Sequence, residues 1–318
     1  MRRPTIHVVS LCAVIGAGFS CGWQRLNPSV SPSCKRLATP FTQASLDHPA
    51  LDEASGLVVS RQHPGIGWTH NDSGGEARLF AINLVTGDVV GSFLLSGISA
   101  TDWEDLTLVP GRDGAPDAIV IADTGDNFRQ RDDVSLHRID EPRVLTMDGI
   151  VAEIETMRIT YPDGPHDVEC ISSFPGGALA LLTKTRTFDT TVFSIDRWHP
   201  GGVHTPAAVG SISIRASGRA ATDRVTACDF SEEQGLFAMR TYDHVFLFER
   251  IRAPTPSELA RTTPCVAELP EQRQGESIAI TRTGSPALVV ISESVDEPIW
   301  RIPLRPQGTS AVETEKSD

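Results

Sequence analysis

Five times the chain repeats one pairing: an acidic or Thr position opening an apolar strand, then a charged-plus-hydroxyl dipeptide about fourteen to nineteen residues later. The openers are Glu53, Glu104, Glu169, Thr226 and Glu276; the dipeptides are Asp72-Ser73, Asp123-Thr124, Lys184-Thr185, Arg240-Thr241 and Glu293-Ser294. A period of about 50 to 65 residues with several short strands per unit is the signature of a β-propeller. The expected fold class is therefore all-β. Equivalent strand openers in such a ring can converge on one axis, and that makes them the first place to look for a site.

Within the first unit, apolar runs at 55–60, 66–69, 78–84 and 89–95 are separated by turn residues, and Thr86-Gly87-Asp88 marks a hairpin. The second unit gives runs at 105–109, 118–122, 134–139 and 151–161; the third at 170–174, 178–183, 191–195 and 207–214. The fourth supplies 227–230, 236–239, 245–250 and 265–269, with a short helical stretch at 256–261 inserted before its last strand. The fifth has only 278–281, 287–291 and 299–302. It stops one strand short. A strand lent by the segment around 38–45 would fill the gap and close the ring, so five blades are expected. Six is the alternative, because the long second and third units have room for an irregular blade. The 26 Gly and 22 Pro fit a chain of many tight turns.

The domain plan places an export signal at 1–20, a tether and closing strand at 21–45, the propeller at 46–305 and a disordered polar tail at 306–318. Arg2 and Arg3 precede an apolar stretch at 6–19 that is too short and too glycine-rich for a comfortable membrane span. Without that segment, 26 basic residues face 41 acidic ones, a net charge of −15. Such a surface repels nucleic acid and anionic lipid, which excludes both as partners and favours a cation. Cys21 follows Gly18-Phe19-Ser20 and loosely resembles a lipoprotein cleavage site, leaving lipid attachment and simple secretion both open. Lipid on Cys21 is the only route to a membrane. Export implies an oxidising compartment. Cys34 and Cys265 flank the point of closure and are the expected disulfide. Cys170 and Cys228 lie on the innermost strands of adjacent blades, but one and two residues after their openers, so they read equally as two buried thiols.

The openers Glu53, Glu104, Glu169 and Glu276 would bring four carboxylates together, an arrangement that needs a cation, protons or basic partners. Ca²⁺ suits it, accepting six to eight oxygen ligands in flexible geometry. The competing reading has each acid accept hydrogen bonds from nearby backbone amides. The dipeptide charges form a polarised second ring, with Glu293, Asp72 and Asp123 on one arc and Lys184 with Arg240 on the other. Asp72, Asp123 and Asp126 sit in oxygen-rich, glycine-containing loops and complete the expected metal set; His70 lies beside them. For Lys184, Arg240, His70 and Glu293 two readings stay open. They grip a small anionic ligand or surface partner, or the two bases simply neutralise the opener glutamates. No catalytic nucleophile is legible: Gly-x-Ser-x-Gly and HExxH are both absent from the sequence.

The runs Glu53-Ala-Ser-Gly-Leu57, Asn71-Asp-Ser-Gly74, Asp102-Trp-Glu-Asp-Leu106 and Asp123-Thr-Gly-Asp-Asn127 resemble a group of uncharacterised exported bacterial β-propellers. That similarity covers most of residues 50–302 and rests chiefly on the first two units. More distantly, the opener glutamates are similar to those of calcium-binding propellers of the phytase-like and gluconolactonase/regucalcin type. This second resemblance implies cation ligation by Glu53, Glu104, Glu169 and Glu276; Thr226 and the fivefold count depart from it. The expected function is an exported calcium-binding module at the cell surface or in the periplasm. The rival is a calcium-dependent hydrolase of a phosphoester or lactone.

Overall fold

The computed structural model describes residues 34–112, 115–249, 254–282 and 284–306. The expected export signal, Cys21 and most of the polar tail lie outside them. The described chain forms five sheets in sequence order around an axis, antiparallel except for one parallel edge strand on each of two, a five-bladed β-propeller. The first strand, β1 (Phe41–Leu46), belongs to the last blade. Blade one runs β2 (Ala54–Val59), β3 (Ile66–Asn71), β4 (Arg78–Asn83) and β5 (Val89–Leu95) from axis to rim. Blade two is β6 (Trp103–Val109), β7 (Ala118–Asp123), β8 (Val134–Asp140) and, after a short β9 (Gly149–Val151), β10 (Glu155–Ile159). Blade three is β11 (Val168–Ser173), β12 (Leu179–Thr183), β13 (Asp189–Ile195) and, after β14 (Val203–His204), β15 (Ala207–Ser213). Blade four comprises β16 (Val225–Ser231), β17 (Leu236–Thr241), β18 (His244–Glu249) and β19 (Cys265–Glu268), with helix α1 (Pro256–Leu259) before its last strand. Blade five holds β20 (Gly275–Ile280), β21 (Ala287–Ser292) and β22 (Glu297–Pro303), and β1 pairs antiparallel with β22 at its rim.

Each blade packs face to face on the next, so the inner strands are buried on both sides and read as nearly continuous apolar runs. Their period of two still sorts the side chains. On β7, Ile119 and Ile121 face blade one while Ala118, Val120 and Ala122 face blade three. On β21, Leu288 and Val290 pack against blade four, and Val289 and Ile291 against blade one. There is thus one apolar cluster per blade interface. Trp68 and Trp103 are fully buried between blades one and two, a packing role for both rings.

The extra length of the second and third units is not a hidden blade. The run expected at 151–161 divides: β9 pairs parallel with β5 on blade one, and only β10 completes blade two. In the same way β14, from the third unit, pairs parallel with β10 of blade two. Blade four repeats the pattern with a helix: Leu259 of α1 joins the cluster holding Ile212 and Ile214 of blade three. Each of these connections therefore reaches back to the preceding blade and holds its outer edge.

Closure depends on the N-terminal segment. Ahead of β1, the Ala38 amide donates to the Pro303 carbonyl at 2.9 Å, and Cys34 is disulfide-bonded to Cys265 with Cα atoms 5.1 Å apart. The second pair, Cys170 and Cys228, is also joined, with Cα atoms 5.3 Å apart. The Cys34–Cys265 bond constrains 231 residues of sequence. Replacing both cysteines with serine should lower unfolding free energy by about 2–4 kcal/mol in a denaturant titration. An unchanged midpoint would show that β1 alone closes the ring.

Candidate metal centre

Four of the five openers are bulged residues. In pairing with the second strand of its blade, each innermost strand skips one position: Glu104 in β6, Glu169 in β11, Thr226 in β16 and Glu276 in β20. A bulge leaves its extra residue unpaired and re-aims that side chain. The carboxylate oxygens of Glu104, Glu169 and Glu276 consequently meet, all within 4.8 Å of one another and all buried. Thr226, in the fourth position, instead donates its hydroxyl to the Gly275 carbonyl at 3.0 Å and ties blade four to blade five.

Blade one breaks the pattern. Its bulge falls at Gly56–Leu57, with Gly56 at a φ of +62°, a conformation that favours glycine. Glu53 precedes the strand and is exposed, so it adds to the field around the centre without joining the three glutamates. Blade one is represented instead by Asp72, at the end of its second strand. Asp72 groups with Asp102 and Glu104, and also with Glu276 and Glu293, each set again within 4.8 Å. Six carboxylates thus form one continuous cluster: Glu104, Glu169 and Glu276 at the bottom, and half-buried Asp72, Asp102 and Glu293 toward the mouth.

Among the described residues, the ion pairs made by this cluster both come from Lys184. Its Nζ lies 2.8 Å from Glu169 Oε1 and 3.9 Å from Glu276 Oε1, and 5.5 Å from the centre of the Tyr242 ring. Burial alone would lower the lysine pKa, but Glu169 and Glu276 outweigh it and hold the ammonium charged. Glu276 also accepts from the Tyr242 hydroxyl and the Gln274 amide, both at 3.2 Å. By contrast, the side chains of Glu104, Asp72 and Asp102 accept no hydrogen bond from any described residue, and Asp72 Oδ1 is buried without a partner. Gly125 closes over Glu104 and Asp102 so tightly that a Cβ there would collide with both carboxylates.

The remaining expected residues are used elsewhere. Arg240 is fully buried; its guanidinium donates to the carbonyls of Thr241, Tyr242 and Ser277 and to Gln272. Burial pushes its pKa down to about 10. Lys184 thus points into the cluster, whereas Arg240 makes no ion pair with an opener glutamate among the described residues. Asp123 accepts from the Thr101 and Asp102 amides and pairs with Arg131 at 2.8 Å, so it braces the loop that carries Asp102. Asp126 caps its own turn, accepting from the Gln130 and Arg131 amides at 2.8 Å. His70 is buried edge-on against Trp103, and burial pushes its pKa down to about 4. Two residues of the centre, Asp102 and Tyr242, were not anticipated; each lies just outside the repeated pairing.

The donor set fits a hard divalent cation. It offers carboxylate oxygens with no sulfur or imidazole among them, which suits Ca²⁺ better than zinc. Among the described residues the one mixed cluster, Asp105 with Cys170 and Cys228, has both sulfurs in a disulfide. In a protein stripped of divalent ions, protons must offset the surplus charge. Burial, and then neighbouring acids, push Asp72 up to about 7 and Glu293 up to about 9. Burial, and then Glu169, hold Glu104 well above the ordinary range; burial does the same for Glu169 despite Lys184.

No protein family matches the chain by sequence, and neither does any curated protein. Among solved structures, the chain is similar to the PQQ-bound aldose sugar dehydrogenase of Streptomyces coelicolor. The two share 12% identity, with a TM-score of 0.48, over 87% of this chain and 100% of that one. It is also similar to the major Malassezia sympodialis allergen Mala s 1, at 10% identity and a TM-score of 0.50, over 81% of this chain and 95% of that one. The second likeness supports the propeller fold and nothing finer. No activity passes from either protein to this one.

Two predictions follow from the charge balance. Each raised acid binds its proton more tightly in the folded protein than in the unfolded chain. The stability this gives is full below about pH 4 and is lost as pH rises through about 7 for Asp72 and about 9 for Glu293. Neutral, buried His70 gives the opposite slope below about pH 6.5, so the window above it isolates the acids. Calorimetry in chelator should therefore show Tm falling from pH 6.5 to 9; a flat profile would mean that the carboxylates are already compensated. Lys184→Met removes the single ammonium and should cost about 3–5 kcal/mol at pH 8 in chelator, by analogy with broken buried pairs.

Proposed function

We propose that this chain is a calcium-binding β-propeller that uses an axial cation to hold its acidic mouth together and to receive a ligand. One observation carries the reading: six carboxylates linked in overlapping groups of three are met, among the described residues, by one ammonium. Protons can fill the deficit only by leaving a stability that declines above neutral pH. A divalent ion fills it without that penalty and supplies a partner for Asp72 Oδ1. Asp72, Asp102, Glu104 and Glu276 would hold the ion, with Glu293 toward solvent and Glu169 kept by Lys184.

With Lys184 and Arg240 engaged internally, an anionic ligand would have to be recognised by the cation itself from the mouth side. The binding-module reading requires nothing more. The hydrolase reading requires in addition an attacking water beside the cation and a base that is not itself a ligand; Glu293, toward solvent, is the acid placed for that role. Export is part of the proposal. Two disulfides favour an oxidising compartment, and the resemblance to exported bacterial propellers agrees with it.

The test is a melting series in calcium, magnesium and chelator on the wild type and on Glu104→Gln. Calcium at a hundredfold excess over Kd should stabilise the wild type by about 2.7 kcal/mol. The variant should melt at or above the wild type in chelator, because a neutral amide replaces an acid that must otherwise hold a proton, and should gain nothing from calcium. A wild type indifferent to every divalent ion would defeat the proposal. Turnover in a phosphoesterase and lactonase panel, lost in Glu293→Gln while calcium still stabilises that variant, would select the hydrolase.

A further inference from the structure

The opposite end of the axis carries a second candidate site, independent of the carboxylate cluster. There every innermost strand ends, and the residues just after it form a rim. Blades five and one contribute Arg282 and Arg61, blade four Glu232 and Glu233, and blades two and three Pro110 and Pro175. They enclose a bowl of about 550 Å³, within the size range of small-molecule sites. Its floor is the Phe174–Phe230 pair, with ring centroids 4.6 Å apart and planes inclined by 15°.

The polar groups of this bowl are unevenly satisfied. Arg61 pairs with Asp117, and Arg282 donates to Asp229 at 2.8 Å and to the Phe230 carbonyl at 3.1 Å. Arg282 Nε is nevertheless buried without an acceptor, although the side chain is only 10% exposed. Across the adjacent blade boundary, Glu232 and Glu233 are exposed and form no ion pair with any described residue. A purely anionic ligand would pair with the exposed end of Arg61 beside Arg282 but meet two unpaired glutamates. A purely cationic one would pair with the glutamates but face both guanidinium groups. Only a ligand bearing both charges answers both sides, and the proline and phenylalanine surfaces call for an apolar body between them.

We infer that this bowl binds a small zwitterion with an apolar body, of which a free amino acid with an apolar side chain is the simplest case. The carboxylate lies at Arg282 and Arg61, the ammonium at Glu232 and Glu233, and the side chain over Pro110, Pro175 and the phenylalanine floor.

Isothermal titration with L-phenylalanine and L-leucine tests this, with 3-phenylpropionate and phenethylamine as analogues that each lack one charge. The amino acids should bind, and each analogue should bind at least about tenfold more weakly. Arg61→Gln and the double variant Glu232→Gln/Glu233→Gln alter exposed side chains. Each should weaken phenylalanine binding at least about tenfold while leaving the melting curve unchanged. Chelator should have no effect, which separates this site from the cation centre. No binding at millimolar concentration, equal binding of either analogue, or binding indifferent to both variants would overturn the inference.

Discussion

Repulsion among the axial carboxylates is the interaction that the rest of this structure has to contain. Two like charges 4 Å apart repel by about 4 kcal/mol at the effective dielectric typical of protein sites. Burying a Leu or Phe side chain returns only about 1.5–3 kcal/mol. A few uncompensated pairs at the hub would therefore offset several side chains of an inter-blade cluster. That arithmetic explains why Lys184 stays charged so deep in the fold. It also explains why protons or a cation are needed for the surplus. The devices that hold the outer edges, the exchanged strands β9 and β14, helix α1 and the closing strand β1, keep the blades together around a centre that pushes outward.

Which acids reach the hub is decided by one-residue irregularities in strand pairing. A regular strand would alternate its side chains between the two neighbouring blades, and none would face along the axis. Skipping a partner at Glu104, Glu169 and Glu276 frees those three from the alternation. Blade one places its skipped pair three residues later, beside the close approach of Gly56 to Leu106 and Asp105. Glu53 accordingly stays outside. The loops then complete the centre from above, with Asp102 held in place by Asp123.

The repeat made the blade count and the closing strand legible, because both follow from period and from a missing element. The bulges were not legible: the five openers look alike in sequence, and only the pairing register separates Glu53 from the other acids. Lys184 and Arg240 occupy matching positions and read as one basic arc, yet one points at carboxylates and the other at backbone carbonyls. The strands β9 and β14 are too short and too exposed to leave a periodic trace. The cysteines teach the opposite lesson. Cys170 and Cys228 sit at offsets that put them on opposite faces of their strands. In a stack of blades the front of one meets the back of the next, so opposite faces are what a disulfide across that interface requires.

Asp105 supplies the internal control for the reading of the hub. It is fully buried like Glu104, one residue away on the same strand, and the same kind of group. Its carboxylate accepts from the amides of Leu106, Ile171 and Cys228, which belong to blades two, three and four. Backbone donors from three blades thus converge on one carboxylate and knit the inner strands together between the two mouths. At Glu104, Asp72 and Asp102 no amide of a described residue donates to the carboxylate. An acid placed to brace the backbone and an acid placed to hold an ion differ in where the nearest N–H groups point. By that measure Asp105 belongs to the first kind, and the three residues above it lack the donors that would place them with it.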